Sequence, residues 1–270
     1  MNTLEMPWSA GKLTANSLKL IAIAAMLIDH IAWAFVSTAT PLGFGMHLIG
    51  RMTMPIMCYF IAEGYHYTRS VPNYALRLGG FTLLSYLPFI FFETGSLPDA
   101  QSFLNLNVIY TLLIGLLALW VQDAAPNKAI RILCTVGLCL IATLGDWGFW
   151  GVLFILAFGL NRGNFKKQAF WFSMVSACLV LSIALPDLLI LVYGAFHDPH
   201  TLCTAGIISV VPTVNEVLCC TGMQFGLFLA LPVLRLYNGK KGRGGKVSQW
   251  LFYIFYPVHL MILGLLRLWL

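Results

Sequence analysis

The chain has 270 residues, of which 59% are hydrophobic and 10% charged, with a formal net charge of +6. A soluble domain holds about 25% charged residues, so the composition excludes a soluble enzyme. It defines an all-α, polytopic integral membrane helical bundle, one transmembrane domain over residues 1–270.

Residues 1–17 are polar and read as an interfacial segment with Trp8 as anchor. Leu18–Val36 is an otherwise apolar run that spans about 28 Å as a helix, the hydrocarbon thickness of a bilayer. It carries Asp29 and His30 near its midpoint. An ionised side chain at that depth costs about 2.5–3.5 kcal/mol and faces a protein interior or a water-filled cavity. The pair therefore marks a candidate site. Consecutive helical residues point about 100° apart, so Asp29 and His30 face different neighbours, and a partner of His30 comes from another helix. Retention of both groups for helix–helix hydrogen bonding alone is the plain alternative. The same two residues, within the apolar run, argue against reading it as a secretory signal.

Hydropathy gives about nine spans: 18–37, 46–64, 76–92, 105–121, 130–144, 148–160, 169–185, 222–236 and 248–268. A cytoplasmic N-terminus puts 14 of the 16 Lys and Arg residues on one side, as short cytoplasmic loops require. The exceptions are Arg51, inside the second span, and Arg267, at the far end of the last. The charge thus reflects topology, with membrane lipid as a partner and no nucleic acid.

The second span is the most polar. Arg51 lies near its outer end and either snorkels or serves the site, Pro55 loosens the backbone, and Glu63, His66 and Arg69 form its inner end, either as a solvated helix terminus or as site support. Arg51 and Glu63, about 18 Å apart along a helix, find separate partners. Asn107 and Tyr110 bring polar groups into the fourth span, as helix glue or as substrate contacts. Asp146 sits in a tight outer turn, as a cap or facing an outer vestibule.

Residues 186–221 read as a re-entrant or outer segment, because irregular backbone is tolerated where protein or water covers it. His197-Asp198-Pro199-His200 suits a bent loop as well as a metal. The seven Cys show no metal spacing, and Cys203 is placed to pair with Cys219 or Cys220 only if that loop faces an oxidising space; no metal is expected. The basic, glycine-rich connection with Asn238, Lys240, Lys241 and Arg243 serves either an anionic ligand or anionic lipid. The last span places Tyr256 and His259 about 17 Å from its start, at a depth similar to His30.

The stretches IAIAAMLIDHI, GRMTMPIMCYFIAEGYHYTR, LNVIYTLLIGLL, GDWGFWGVLFIL, YNGKKG and FYIFYPVHLMIL together resemble the TraX family of conjugative-pilus proteins, which includes the F-pilin N-acetylase. The resemblance runs from Leu18 to about Leu265. It implies an enzyme of the bacterial inner membrane that moves acetyl from acetyl-CoA to the N-terminal amine of a membrane-resident pilin. The chain is also similar, more distantly, to the acyltransferase 3 membrane acyltransferases, whose essential His and Arg match His30 and Arg51.

Acyl transfer asks for a base, an oxyanion partner and a seat for the coenzyme's phosphates. His30 is nominated as base with His259 as second group or alternative base, beside Asp29, and Arg51, Tyr110 and Asn107 hold the thioester carbonyl or the acceptor. Arg69, Arg77, Lys240, Lys241 and Arg243 meet the phosphates. The alternatives are a glycan or peptide acceptor, a small transporter with an Asp/His/Arg path, and a non-enzymatic assembly factor for a secretion or pilus apparatus.

Overall fold

The computed structural model describes residues 11–196, 214–242 and 245–269. In chain order the helices are α1 (Ala15–Phe35), α2 (Pro41–Gly50), α3 (Thr53–Tyr67), α4 (Val71–Thr94), α5 (Val108–Ala124), α6 (Lys128–Ala142), α7 (Gly148–Gly159), α8 (Phe165–Phe196), α9 (Val214–Gly222), a 3₁₀ stretch (Met223–Leu229), α10 (Ala230–Arg235) and α11 (Gly245–Trp269). Five segments are long and apolar enough to cross a membrane: Ala15–Phe35, Val71–Thr94, Phe165–Tyr193, Val217–Arg235 and Trp250–Trp269. No strand occurs among the described residues.

The helix starts follow local chemistry. Thr14, Thr40, Ser70, Asn107 and Asn127 each accept an otherwise orphaned N–H of the first turn, and Pro41 stands at the first helical position of α2. Gly95 ends α4 at φ 69°, the left-handed conformation that suits glycine.

The second predicted span, 46–64, is two helices. Pro55 has no N–H to give the Arg51 carbonyl one turn back, and the ladder breaks there, ending α2 at Gly50 and restarting α3 at Thr53. Arg51 therefore sits at a joint. Residues 186–196 continue α8 through Pro186, so the start of the predicted outer segment is helical. Residues 197–213, with His197–His200 and Cys203, lie outside the described residues, as do Trp8 and Arg243.

Packing closes a ring. α1 lies against α3, α3 against α7, α7 against α5, α5 against α4, α4 against α11 and α11 against α1. Leu18, Ile56, Leu78, Leu116, Phe154, Phe158 and Leu260 are fully buried between these helices. Outward-facing Leu76, Leu83 and Leu133 are more than two-thirds exposed, the inside-out pattern of a surface solvated by lipid. α2 docks on α1 and on the 3₁₀ stretch, where a Cβ on Gly226 would overlap the carbonyl oxygen of Leu48. Backbone, not a movable side chain, is the obstacle, so Gly226→Ala is expected to destabilise by about 1–3 kcal/mol. A lowered midpoint of thermal unfolding in detergent would register it.

Two pieces of extended backbone tie the ends of the bundle. Leu13 pairs with Tyr237 and Leu106 with Gly145. At the first, Leu13 N–H donates to Leu236 O (2.9 Å), Asn238 N–H to Leu13 O (2.9 Å) and Asn16 N–H to Lys241 O (3.1 Å). The segment after α10 is thereby pinned to the start of α1.

Candidate functional site

The site begins with two imidazoles. His30 on α1 and His259 on α11 meet with His259 Nε2 3.1 Å from His30 Nδ1. His30 Nδ1 also lies 2.9 Å from Met26 O, and His259 Nδ1 lies 2.7 Å from Phe255 O, each a carbonyl one turn earlier on the same helix. A carbonyl only accepts, so the network assigns the proton to Nδ1 of both rings. His259 Nε2 is then an acceptor for the His30 N–H, and the lone pair of His30 is on Nε2. Phe255 stacks on His259 (4.6 Å between centroids) and Phe92 meets His30 edge-on (5.3 Å), fixing both rings.

Asp29, a third of a turn away, faces α2. Its Oδ1 accepts from Nδ1 of fully buried His47 at 2.8 Å, and His47 Nε2 lies 3.3 Å from the Thr38 hydroxyl. A Cβ on Gly50 would overlap the Asp29 carboxylate, so the carboxylate rests against bare backbone at the end of α2. Trp33 covers the His47 ring at 4.3 Å. The Arg51 guanidinium lies 6.0 Å from the Trp33 ring and 5.4 Å from Trp147, with Nη2 3.9 Å from Met223 Sδ. Among the described residues it makes no ion pair.

Of these groups Asp29, His30, Trp33, Gly50, Arg51 and Trp147 border one cavity of about 810 Å³ inside the helix ring, whereas His47 and His259 do not line it and touch it only through Asp29 and His30. Lys19, Arg77 and Lys241 line one end, His30, Arg51 and Tyr256 the middle, and Asp29, Glu93 and Asp146 the other end. Lys19 Nζ hangs over Phe60 and Phe252 at 5.2 and 5.4 Å. Arg77 Nε donates to Tyr253 OH at 3.1 Å, its guanidinium lying over Tyr74 at 5.0 Å. Among the described residues none of the three cations has a carboxylate in ion-pair range. Asp146, in the turn between α6 and α7, has its surface open to cavity space but is surrounded by protein. That enclosure, then the Glu93 charge, pushes its carboxyl up to about 6.

The remaining predicted residues divide. Glu63 is buried and accepts from Arg162 Nε at 3.0 Å, an ion pair at the rim. Asn107 caps α5, and its amide donates to Thr82 O at 2.8 Å; Tyr110 OH donates to Ile141 O at 3.1 Å. Both tie helices together and neither lines the large cavity. His66 is exposed beside Tyr65, Arg69 is exposed, and Lys240 contributes a carbonyl to the rim, with Asn238 Oδ1 accepting the Lys240 N–H. None of these four lines the cavity. His47, Trp33, Trp147 and Tyr253 are site residues that hydropathy and spacing did not single out.

A closed ring of apolar helices around a polar, histidine-bearing cavity is a multi-pass membrane protein with an enclosed site. The family profile described as "TraX protein" matches residues 14–267. The chain belongs to the TraX family. It is 30% identical over 256 residues to the probable fimbrial assembly protein FimC, serogroup H1, of Dichelobacter nodosus, covering 93% of this chain and 94% of that one. No solved structure matches it.

Proposed function

We propose that this chain is an acetyltransferase of the bacterial inner membrane, moving acetyl from acetyl-CoA to the N-terminal amine of a membrane-resident pilin. One observation carries the reading: a single cavity has at one end three cations with no carboxylate in ion-pair range among the described residues, at the other Asp29, Glu93 and Asp146, and an imidazole lone pair between them. Its fourth carboxylate, Glu63, is paired with Arg162. An anionic donor and a cationic acceptor are the two molecules such a polarity suits. The relative's role in fimbrial assembly supports a pilin as acceptor.

Acetyl-CoA enters as a substrate. Lys19, Arg77 and Lys241 suit its phosphates as charge-assisted donors, and the Tyr74, Tyr253 and Phe252 rings hold the first two of these cations in place. With the basic rim cytoplasmic, as the Lys and Arg distribution indicates, the pantetheine arm runs inward toward His30. His30 Nε2 takes the proton from the attacking amine nitrogen, while His259 Nε2 and Met26 O hold the Nδ1–H and stabilise the imidazolium. Arg51 faces the carbonyl oxygen as it gains charge. The C–N bond forms, the C–S bond breaks, and the thiolate takes the proton back from His30.

Purified protein in detergent, given acetyl-CoA and a peptide with a free α-amine, is expected to release free thiol and N-acetylated peptide. The absence of both coenzyme A binding and thiol release would overturn the reading.

A further inference from the structure

A second cavity, of about 370 Å³, lies between the turn before α7, the start of α7, α8 and the 3₁₀ stretch. It shares Arg51, Asp146 and Trp147 with the large cavity, so the two spaces meet at one partition, the Arg51 guanidinium against the Trp147 ring. Its own walls are mostly apolar: Phe149 and Trp150 from α7, Leu179 and Ile183 from α8. Only Gln224 and the Asp146 carboxylate put a strong acceptor there.

Among the described residues the Asp146 side chain makes no hydrogen bond and no ion pair, and it is exposed to the space of both cavities, where it is free to accept from whatever enters. The charge balance is three carboxylates, Asp29, Glu93 and Asp146, against the guanidiniums of Arg51 and of Arg267 near Glu93, so one acid is in excess and a cation is favoured. A hydroxyl acceptor would use none of this.

We infer that the smaller cavity is the acceptor's way in, and that Asp146 seats the protonated α-amine of an apolar peptide N-terminus at the partition before it meets the thioester. This rests on the acetyltransferase reading. It divides the molecule into a donor side, reached from the basic rim, and an acceptor side, reached past α8, with Arg51 and Trp147 between them. The step balances: the ammonium gives one proton to the Asp146 carboxylate and becomes a nucleophile. Its nitrogen attacks the thioester carbonyl, the second proton passes through His30 to the departing thiolate, and Asp146 releases its proton to water. Per turnover, an ammonium and a thioester become an amide, a thiol and one proton.

The test uses full-length protein in detergent and three probes: an apolar octapeptide with a free α-amine, its N-acetylated counterpart, and coenzyme A. The free-amine peptide is expected to raise the unfolding midpoint and the N-acetylated one to leave it in place, before any donor is added. Ile183→Trp, which fills the smaller cavity from α8, is expected to raise the free-amine peptide's Kd at least tenfold and leave the coenzyme A Kd unchanged. Asp146→Asn is expected to weaken the peptide similarly, with Asp146→Glu restoring part of the affinity. Wild-type peptide affinity in both Ile183→Trp and Asp146→Asn, or equal binding of free and acetylated peptides, overturns the inference. Asp146-dependent peptide binding without any coenzyme A binding or acetyl transfer upholds the acceptor seat and defeats the transferase reading instead.

Discussion

His30→Ala is expected to slow acetyl transfer by about 10²–10⁴-fold at saturating donor and acceptor, the range removed with a positioned proton acceptor. The effect falls on kcat, because the lone pair acts on the attacking nitrogen and not on the bound ground state. His259 acts through His30, and its substitutions should separate by hydrogen-bonding capacity. His259→Gln keeps an acceptor that the His30 N–H can reach, so it is expected to retain more activity than His259→Leu, which leaves that N–H to Met26 O alone. Single-turnover acetylation of a free-amine peptide resolves both comparisons. A wild-type rate for His30→Ala would remove the base from the scheme.

The second large effect lies at the basic rim. Replacing Lys19, Arg77 and Lys241 together with Gln is expected to raise the coenzyme A Kd by about 10²–10³-fold, since charge-assisted hydrogen bonds contribute about 1.5–3 kcal/mol each and their losses are not fully additive. Arg77 should dominate the single substitutions, because Tyr253 OH and the Tyr74 ring already hold its guanidinium in place and little side-chain freedom remains to be lost. Titration calorimetry with coenzyme A and with its 3′-dephospho form gives a finer reading. Wild-type protein is expected to prefer the former, and the triple variant to discriminate less. Equal affinity of wild type and triple variant for coenzyme A would place the phosphates elsewhere.

The helical membrane class was legible because hydrophobic runs and charge asymmetry are properties of single segments. So was the importance of Asp29 and His30, since an ionisable pair in an apolar helix is costly wherever its partners are. Depth along a helix placed His30 and His259 at one level, and the structure brings them to 3.1 Å. Depth does not say which side a residue faces. That is why His47, the partner of Asp29, went unnoticed: it lies in a short helix read as part of one span with α3. Two clues were available, the need of a buried carboxylate for a donor and the removal of a backbone donor by Pro55. Tyr110 and Asn107 were misleading for the opposite reason. Their polarity is spent on Ile141 O, Thr82 O and the start of α5, and no property of the sequence separates a helix tie from a substrate contact. Lys19 reads from sequence as one of the basic residues that set orientation, and only its position one turn inside α1 places it on the cavity wall.

The pairing of Leu13 with Tyr237 joins residues far apart in the chain, and the cavity behind it needs a wall from α11, which follows every other described helix. A nascent chain that has not yet made α11 therefore carries His30, Arg51 and Asp146 but no closed chamber around them. The rim closes only once residues 236–241 have been made, and the two imidazoles meet only once α11 has joined the ring.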